Sequence, residues 1–439
     1  MPTRNFLKLL AIYLTLYVAI TGLQLPGNSQ KNFVQKERLT VPDTPNRVST
    51  FLVISDIHLN SKSNQALSGE DAGRDLWDSA KIAINTLLNG TIASKPKFLL
   101  VLGDLPFHVN DDLGNLDAVR NSFDTVYNDL CAITKKARIP LIIVPGNNDS
   151  YDGDYHELNP DHAVPLFNPG AEASLADTSL SRIGIYSVYP MGKHVKLRLI
   201  VLNTVIFSTP KENEHFFYGT DRQAHTSLQM TWFRNQLKVA AYNKETVLIA
   251  MHIPPGNDGY PACQTGNKYL WDSSLLFEGR RLQNAFLDIT DSFKNNIAGL
   301  LASHTHMDGI RLLQKNDTAI TSLLISVPAI TPGHQNNPSM KLITYNPLKN
   351  FELEDFTTIY MKYWNHNKKG SVTNFKNQYT FKGQFKGSGT ISILAHISNI
   401  FQRDRKQLIN DIDNIYTVEN VPAALANNND TVTIYVKPQ

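Results

Sequence analysis

Short apolar, β-branched runs alternate with stretches of helical spacing from about Arg47 to Pro347. The runs are Ser49–Ile54, Phe98–Leu102, Leu141–Val144, Leu197–Leu202, Val247–Met251, Ile297–Leu301, Leu323–Val327 and Lys341–Tyr345. Several are nearly continuous apolar stretches bounded by Gly, Pro or Asp, which is the pattern of strands covered on both faces. Between them, Trp77–Leu88, Ala118–Lys136 and Leu228–Tyr242 place apolar residues on one side of a helix. This order predicts an α/β fold in which two packed sheets form a β-sandwich flanked by helices, in α/β/β/α layers. Ser150–Arg182 is polar and rich in Pro, Gly and Asp, and reads as a long loop over a site.

After Asn350 the pattern changes. Phe356–Trp364 is aromatic, Asn365–Gly389 is polar with many Lys and Gly, and Ile391–Ile415 has helical spacing. The expectation is a main domain over residues 45–350 and a partly helical C-terminal extension over 351–439, packed on it. Asn427–Asp430 reads as a turn before a last strand, Thr431–Val436.

Residues 1–30 form a further segment. Arg4 and Lys8 flank or enter the apolar run Phe6–Leu25, and Pro26-Gly27-Asn28-Ser29 breaks it. A positive start followed by an apolar stretch marks a signal peptide or an uncleaved membrane anchor. About 20 residues is long for a signal and just enough to span a bilayer. The sequence therefore predicts export (a secreted, periplasmic or lumenal protein) or membrane association through the N-terminus.

Composition narrows the class. Hydrophobic residues at 42% and charged residues at 18% support a large core and exclude wholesale disorder. A net charge of +3 carries no nucleic-acid-binding signal. Cys131 and Cys263 are too few for a disulfide framework and lack metal spacing, so Cys131 reads as a small buried hydrophobe in a helix.

Five polar clusters follow or end predicted strands: Asp56-Ile57-His58, Gly103-Asp104, Gly146-Asn147-Asn148-Asp149, His252 and His304-Thr305-His306. Each is weak alone, since Gly-Asp and Asn-Asn-Asp are common turn chemistry. Together they are strong, because strand-end loops of layered α/β folds converge on one edge. Oxygen and nitrogen ligands without thiolates suit Zn, with Mn and Fe as alternatives. Seven candidate ligands are too many for one ion and fit two divalent metal ions sharing a bridging carboxylate. Residues i and i+2 of extended chain point to one side, so Asp56 with His58, and His304 with His306, can reach the site together. Two metals roughly 3.5–4 Å apart clamp a phosphate and activate a water.

The order D-x-H, G-D, G-N-x-D, H and H-x-H resembles the calcineurin-like metallophosphoesterases over about Thr50–Tyr345. The resemblance implies that Asp56, His58, Asp104 and His306 hold one metal. It implies that Asp104, Asn147, His252 and His304 hold the other, with Asp104 bridging. Within that superfamily the chain is similar to acid sphingomyelinase-like phosphodiesterases. The shared segments are Gly103-Asp104-Leu105-Pro106-Phe107-His108, the Q-x-x-W-x-x-x-x-L pattern of Gln229–Leu237, the H-I-P-P-G of His252–Gly256, and Ser326–Pro338. There is no saposin-like segment. Asn148 departs from the family, which usually has His there, and endopolyphosphatase-like relatives share the Asn-Asn.

The expected activity is hydrolysis of phosphate esters, in the first place phosphodiesters of a small molecule or lipid (as a sphingomyelinase-like or nucleotide phosphodiesterase), by a metal-bridged hydroxide. His108 would protonate the leaving oxygen, and the Asn148 amide would hydrogen-bond a phosphate oxygen. His162 and His334 lie in loops that could border the site. Three other readings stay open: a phosphomonoesterase, an endopolyphosphatase, and a catalytically dead membrane-anchored binding module.

Overall fold

The computed structural model describes residues 48–436 except 65–69, 91–93, 109–115, 159–163, 169, 171–172, 209–221, 260–268, 317–318, 363–373, 388–390, 417 and 419–434. The N-terminal apolar segment, Cys263, His162 and most of the expected final strand therefore lie outside the described residues. Among the described residues no helix is long and apolar enough to cross a membrane.

The first sheet has seven strands. Its centre is parallel: β1 (Ser49–Ile54), β2 (Pro96–Val101) and β3 (Leu141–Ile143), with the short β4 (Phe167–Asn168) antiparallel at one edge. The second sheet has eight strands. It runs from β5 (Ser174–Leu180) and β6 (Ile185–Tyr189) through β7 (Leu197–Leu202) and β8 (Thr246–Met251). A small separate hairpin, β9 (Leu276–Phe277) and β10 (Arg280–Arg281), precedes β11 (Ile297–Ala302). The second sheet then continues through β11, β12 (Gly309–Asn316) and β13 (Ala319–Ser326) in the spatial order β12-β13-β11-β8-β7-β6-β5. The chain returns to the first sheet as β14 (Ser339–Asn346), antiparallel to β1. It then adds β15 (Glu352–Tyr360) and β16 (Lys376–Thr380), and ends on β17 (Tyr435–Val436) beside β12. The β14–β15 pairing places residues on either side of 350 in one sheet, and Asn350 itself sits in the connecting turn.

The layers follow from the alternation of side chains across a strand. In the second sheet Leu199, Val201, Leu248, Ala250, Leu301 and Ile325 join the core that also contains Phe51, Val53 and Phe98 of the first sheet. Their neighbours Ile200, Leu202, Ile249, Met251, Leu300 and Leu324 face a second core with α3 (Arg222–Tyr242) and α4 (Leu282–Ser292). On the first sheet, α1 (Arg74–Asn89) buries Trp77, Ala80, Ile84 and Leu88, and α2 (Leu116–Ala137) buries Val119, Phe123, Val126 and Leu130. Both sets have helical spacing. Trp77 Nε1 also donates to Asp129 Oδ2 at 2.9 Å, tying the two helices together. The result is the expected α/β/β/α sandwich.

Residues beyond 350 extend the inter-sheet core. Leu353 and Ile359 of β15, with Ile393, Ile397 and Phe401 of α5 (Ile393–Arg403) and Leu408 and Ile412 of α6 (Arg405–Asp413), belong to it. The segment read as a loop, Ser150–Arg182, differs in its last part, where β5 forms an edge strand. Its sequence, Ser-Leu-Ala-Asp-Thr-Ser-Leu, is polar because the strand is largely exposed.

Candidate metal centre

β1, β2, β3, β8 and β11 run parallel within their sheets, and the loops after them carry the candidate ligands. The loops are sewn together by backbone bonds. The amides of Asp56, Ile57 and His58 donate to the carbonyls of Gly103 and Asp104, at 2.8–3.1 Å. Gly103 has φ +96°, and a Cβ there would sit 2.6 Å from Gly146 N, so only glycine allows the second and third loops to approach. Asp56, His58, Asp104, His304 and His306 all adopt positive φ, between 45° and 68°. Non-glycine residues rarely do so, and such conformations persist only where surrounding bonds fix them. The two ligands of each D-x-H or H-x-H pair thus converge through tight left-handed turns rather than through strand alternation.

Two clusters result. In the first, His58 Nε2 and His306 Nε2 face each other at 3.2 Å, and Asp56 Oδ1 lies 3.6 Å from His306 Nε2. Both oxygens of Asp56 are buried and accept no hydrogen bond, although the Ser55 and Ser303 hydroxyls stand close. Burial pushes Asp56 up to about 7, with His252 opposing and Asp104 adding to the rise. Burial holds His58 down to about 3, and the nearby His108 adds to this. Burial and His334, stacked 4.4 Å away, hold His306 well below the usual imidazole range. Neutral imidazoles nose to nose beside an unsatisfied carboxylate are costly to bury. A cation between them satisfies all three, so these residues fit a metal ion.

The second cluster joins Asp104, His252 and His304. His252 Nδ1 donates to Leu102 O at 2.6 Å, which leaves Nε2 facing Asn147 Oδ1 at 3.0 Å and Asp104 Oδ2 at 3.2 Å. His304 Nδ1 meets the same Asn147 oxygen at 3.0 Å. Asp104 Oδ2 also lies 3.5 Å from His58 Nε2, so this carboxylate touches both clusters. Burial acts to raise Asp104, but His252 and the other donors around it hold it well below the carboxylate range. Burial acts to lower His252, yet Asp104 lifts it to about 9. The site's charge therefore holds a positive group, proton or metal, at Nε2.

All seven sequence-predicted ligands thus come together. His108 stacks on His58, ring centroids 4.0 Å apart. Its Nδ1 contacts Asp71 Oδ1 at 2.7 Å, and its backbone amide donates to Asp71 Oδ2 at 2.9 Å. Burial acts to lower His108, but the Asp71 carboxylate raises it to about 9. Asn148 turns inward: its backbone amide donates to Asp104 Oδ1 at 2.9 Å and its side-chain amide to Oδ2 at 3.0 Å. His334 lies beside the first cluster on His306.

Sequence reasoning gave no role to three carboxylates. Asp71 orients His108. Asp149 accepts from the amides of Asp104, Leu105 and Gly146, locking the second and third loops. Asp154 accepts from the Asn147 side-chain amide. Only Asp149 had a signal, the fixed spacing of Gly-Asn-x-Asp.

The Ser326–Pro338 segment and the extension brace the first and last loops. The amides of Ile330 and Thr331 donate to Ser55 O and Asp56 O. Asn336 Nδ2 donates to His306 O, and Asn336 Oδ1 accepts from the Val418 amide. Asp308 pairs with Lys341 at 2.7 Å, both fully buried, and accepts from Thr358 and Tyr379 of the extension.

A family model described as calcineurin-like phosphoesterase matches residues 49–308. A cyclic GMP-AMP phosphodiesterase of Bos taurus is 27% identical over 65% of this chain and 60% of its own length. A sphingomyelinase phosphodiesterase D of Dictyostelium discoideum is 26% identical over 68% of this chain and 63% of its own. The chain thus spans about 60% of the length of these relatives. A solved dimetal phosphatase of Danio rerio aligns at 15% identity and a TM-score of 0.42, covering 76% of this chain and 99% of that one.

Proposed function

The chain belongs to the calcineurin-like phosphoesterase family, and we propose that it is an enzyme that hydrolyses phosphodiesters with two divalent cations. The observation that carries this reading is the pair of clusters sharing Asp104, one of which contains a buried, unpartnered Asp56 carboxylate against opposed imidazoles. Asp56, His58, Asp104 and His306 would hold one cation, and Asp104, Asn147, His252 and His304 the other. When bound, such cations activate water and offset charge on the phosphoryl oxygens.

The chain's own residues supply the rest. His108, which Asp71 pushes toward the protonated form against burial, would donate to the leaving oxygen. Its stacking on His58 sets it at the rim of the first cluster. The Asn148 amide cannot titrate, so it cannot share proton delivery with His108. Zn is the ion the thiolate-free set of nitrogen and oxygen donors suits, with Mn and Fe as alternatives.

The two relatives' names pair a cyclic dinucleotide with a sphingolipid, and their shared chemistry is a phosphodiester. We extend only that shared class to this chain. The metal-loaded protein should cleave a nitrophenyl diester faster than the monoester of the same leaving group. A screen over sphingomyelin, nucleotide diesters and polyphosphate then fixes the substrate. Faster monoester cleavage, or selective shortening of polyphosphate, the reading that the Asn147-Asn148 pair supports, would overturn the diester proposal. Full metal occupancy without turnover on any of them would leave a binding module.

The Phe6–Leu25 run supports export or N-terminal membrane attachment. Fusing residues 1–45 to a reporter tests it, and a soluble cytosolic reporter refutes it.

A further inference from the structure

Asn147 poses an orientation problem. Its side-chain amide has two ends of nearly equal shape, and only the oxygen can bind a cation. Oδ1 lies 3.0 Å from both His252 Nε2 and His304 Nδ1, where those rings converge. The opposite end, Nδ2, donates to Asp154 Oδ1 at 2.8 Å. An ionised carboxylate only accepts hydrogen bonds, and the Asn147 amide favours that form against the burial that raises Asp154 to about 7. Flipping the amide would set its oxygen against that carboxylate and its NH2 against the ring nitrogens meant for a cation.

The loop between the two residues is built to bring them together. The Tyr155 amide donates to Asn147 O at 2.7 Å, closing the segment back on itself. The reversal passes through Gly153 at φ +127°, a conformation that side chains rarely adopt, and a Cβ there would meet His156 at 3.1 Å. Ser150 Oγ donates to Glu157 O at 3.0 Å and pins the far side of the same loop. Among the described residues Asp154 belongs to neither cluster of converging ligand atoms; its hydrogen bond to the site is the one to Asn147, beside its charge interaction with Asp104 and His108.

We infer that Asp154 is a positioning residue that locks the Asn147 amide with its oxygen toward the cation shared with Asp104, His252 and His304. The inference rests on the two-cation reading above and assigns a task to a carboxylate outside both ligand sets. A partner that orients a metal ligand typically contributes roughly 10–100-fold in metal affinity.

The test is titration of chelator-treated full-length protein with Zn²⁺ alone, followed by calorimetry, for wild type, Asp154→Ala and Asp154→Asn. Circular dichroism establishes that each is folded. Wild type should bind two ions. Asp154→Ala should bind one as wild type does and the second roughly 10–100-fold more weakly. Asp154→Asn keeps an oxygen that can accept from the Asn147 amide but can also present its own NH2, so it should fall between. Two ions bound by Asp154→Ala at wild-type affinity would overturn the inference. Equal weakening of both ions in a folded variant would do the same, since it would indicate general loosening. Should Asp154→Ala not fold, wild-type affinity at both sites in Asp154→Asn decides against it. A wild type that binds fewer than two ions would instead defeat the two-cation reading itself, so the two failures are distinct.

Discussion

Replacing His108 isolates proton delivery from metal chemistry. His108 lies on the face of His58 and is bonded through Nδ1 to Asp71 at 2.7 Å. If it protonates the leaving oxygen, His108→Ala should lower kcat by roughly 10²–10⁴-fold on a diester with an alkoxide leaving group. The loss should be far smaller with nitrophenolate, which departs without a proton. Asp71→Asn gives an independent reading. Against burial, Asp71, with Asp104 and Asp154 adding, raises His108 from 6.5 to about 9, so removing the Asp71 charge should move the acid's titration downward by roughly two pH units. Because an acid must be protonated to act, the alkaline fall of kcat/KM should begin at lower pH in Asp71→Asn than in wild type. Bound cations repel the proton in both proteins, so the difference between profiles is the decisive quantity. The linked stability effect has the same sign. A group raised on folding contributes its full stability below 6.5 and loses it as pH rises through about 9. His108 is 45% exposed, so this contribution is screened and small. Equal losses on both leaving groups, or unshifted profiles, would refute the acid role. Loss of metal would make His108 a ligand, as its grouping with His58 and Asp71 would permit.

Elemental analysis of protein purified without chelator should give close to two divalent metals per chain, and Asp104→Asn should lower that content most, because its carboxylate touches both clusters. Chelation should lower Tm, since ions that bind only the folded state stabilise it by about 2.7 kcal/mol at a hundred times Kd. Lys341→Met strands a buried Asp308 carboxylate and should cost about 3–5 kcal/mol in denaturant unfolding, with Lys341→Met/Asp308→Asn recovering most of it. Gly103→Ala, with its Cβ 2.6 Å from Gly146 N, should lower both Tm and metal content; a wild-type melt with full metal would refute the close-approach argument.

The strands were legible where burial on both faces makes a run continuously apolar. Ser49–Ile54 and Leu197–Leu202 coincide with β1 and β7, and the other six runs fall within a few residues of theirs. β5 was illegible because an exposed edge strand needs no apolar pattern. β12 and β15 escaped for a related reason. Polar Arg311, Gln314 and Glu354 are buried inside them and interrupt the apolar run. The ligand set was legible as a set, because few folds place so many Asp, His and Asn residues at strand ends. Its geometry was not. The alternation argument assumed extended chain, whereas five of the ligands sit at positive φ in turns held by neighbouring loops. Asp71 and Asp154 act through contacts with residues 37 and 7 positions away, and such pairings leave no periodic trace.

The first cluster recruits Asp56 from near the start of the described residues and His306 from far along the chain, and His306 is braced from still further on. Asn336 ties its carbonyl to the Val418 amide, and the Asp308 amide donates to Tyr416 O. A ribosome delivers these parts in order. When β1, β2 and β3 have emerged, Asp56, His58, Asp104 and Asn147 can already be held by one sheet, yet the imidazoles that complete both clusters are still unmade. The residues that complete the site thus lie more than 150 positions beyond the last ligand of the first sheet, from Asn147 to His304. The H-x-H loop therefore takes its shape from contacts that reach as far along the chain as Val418.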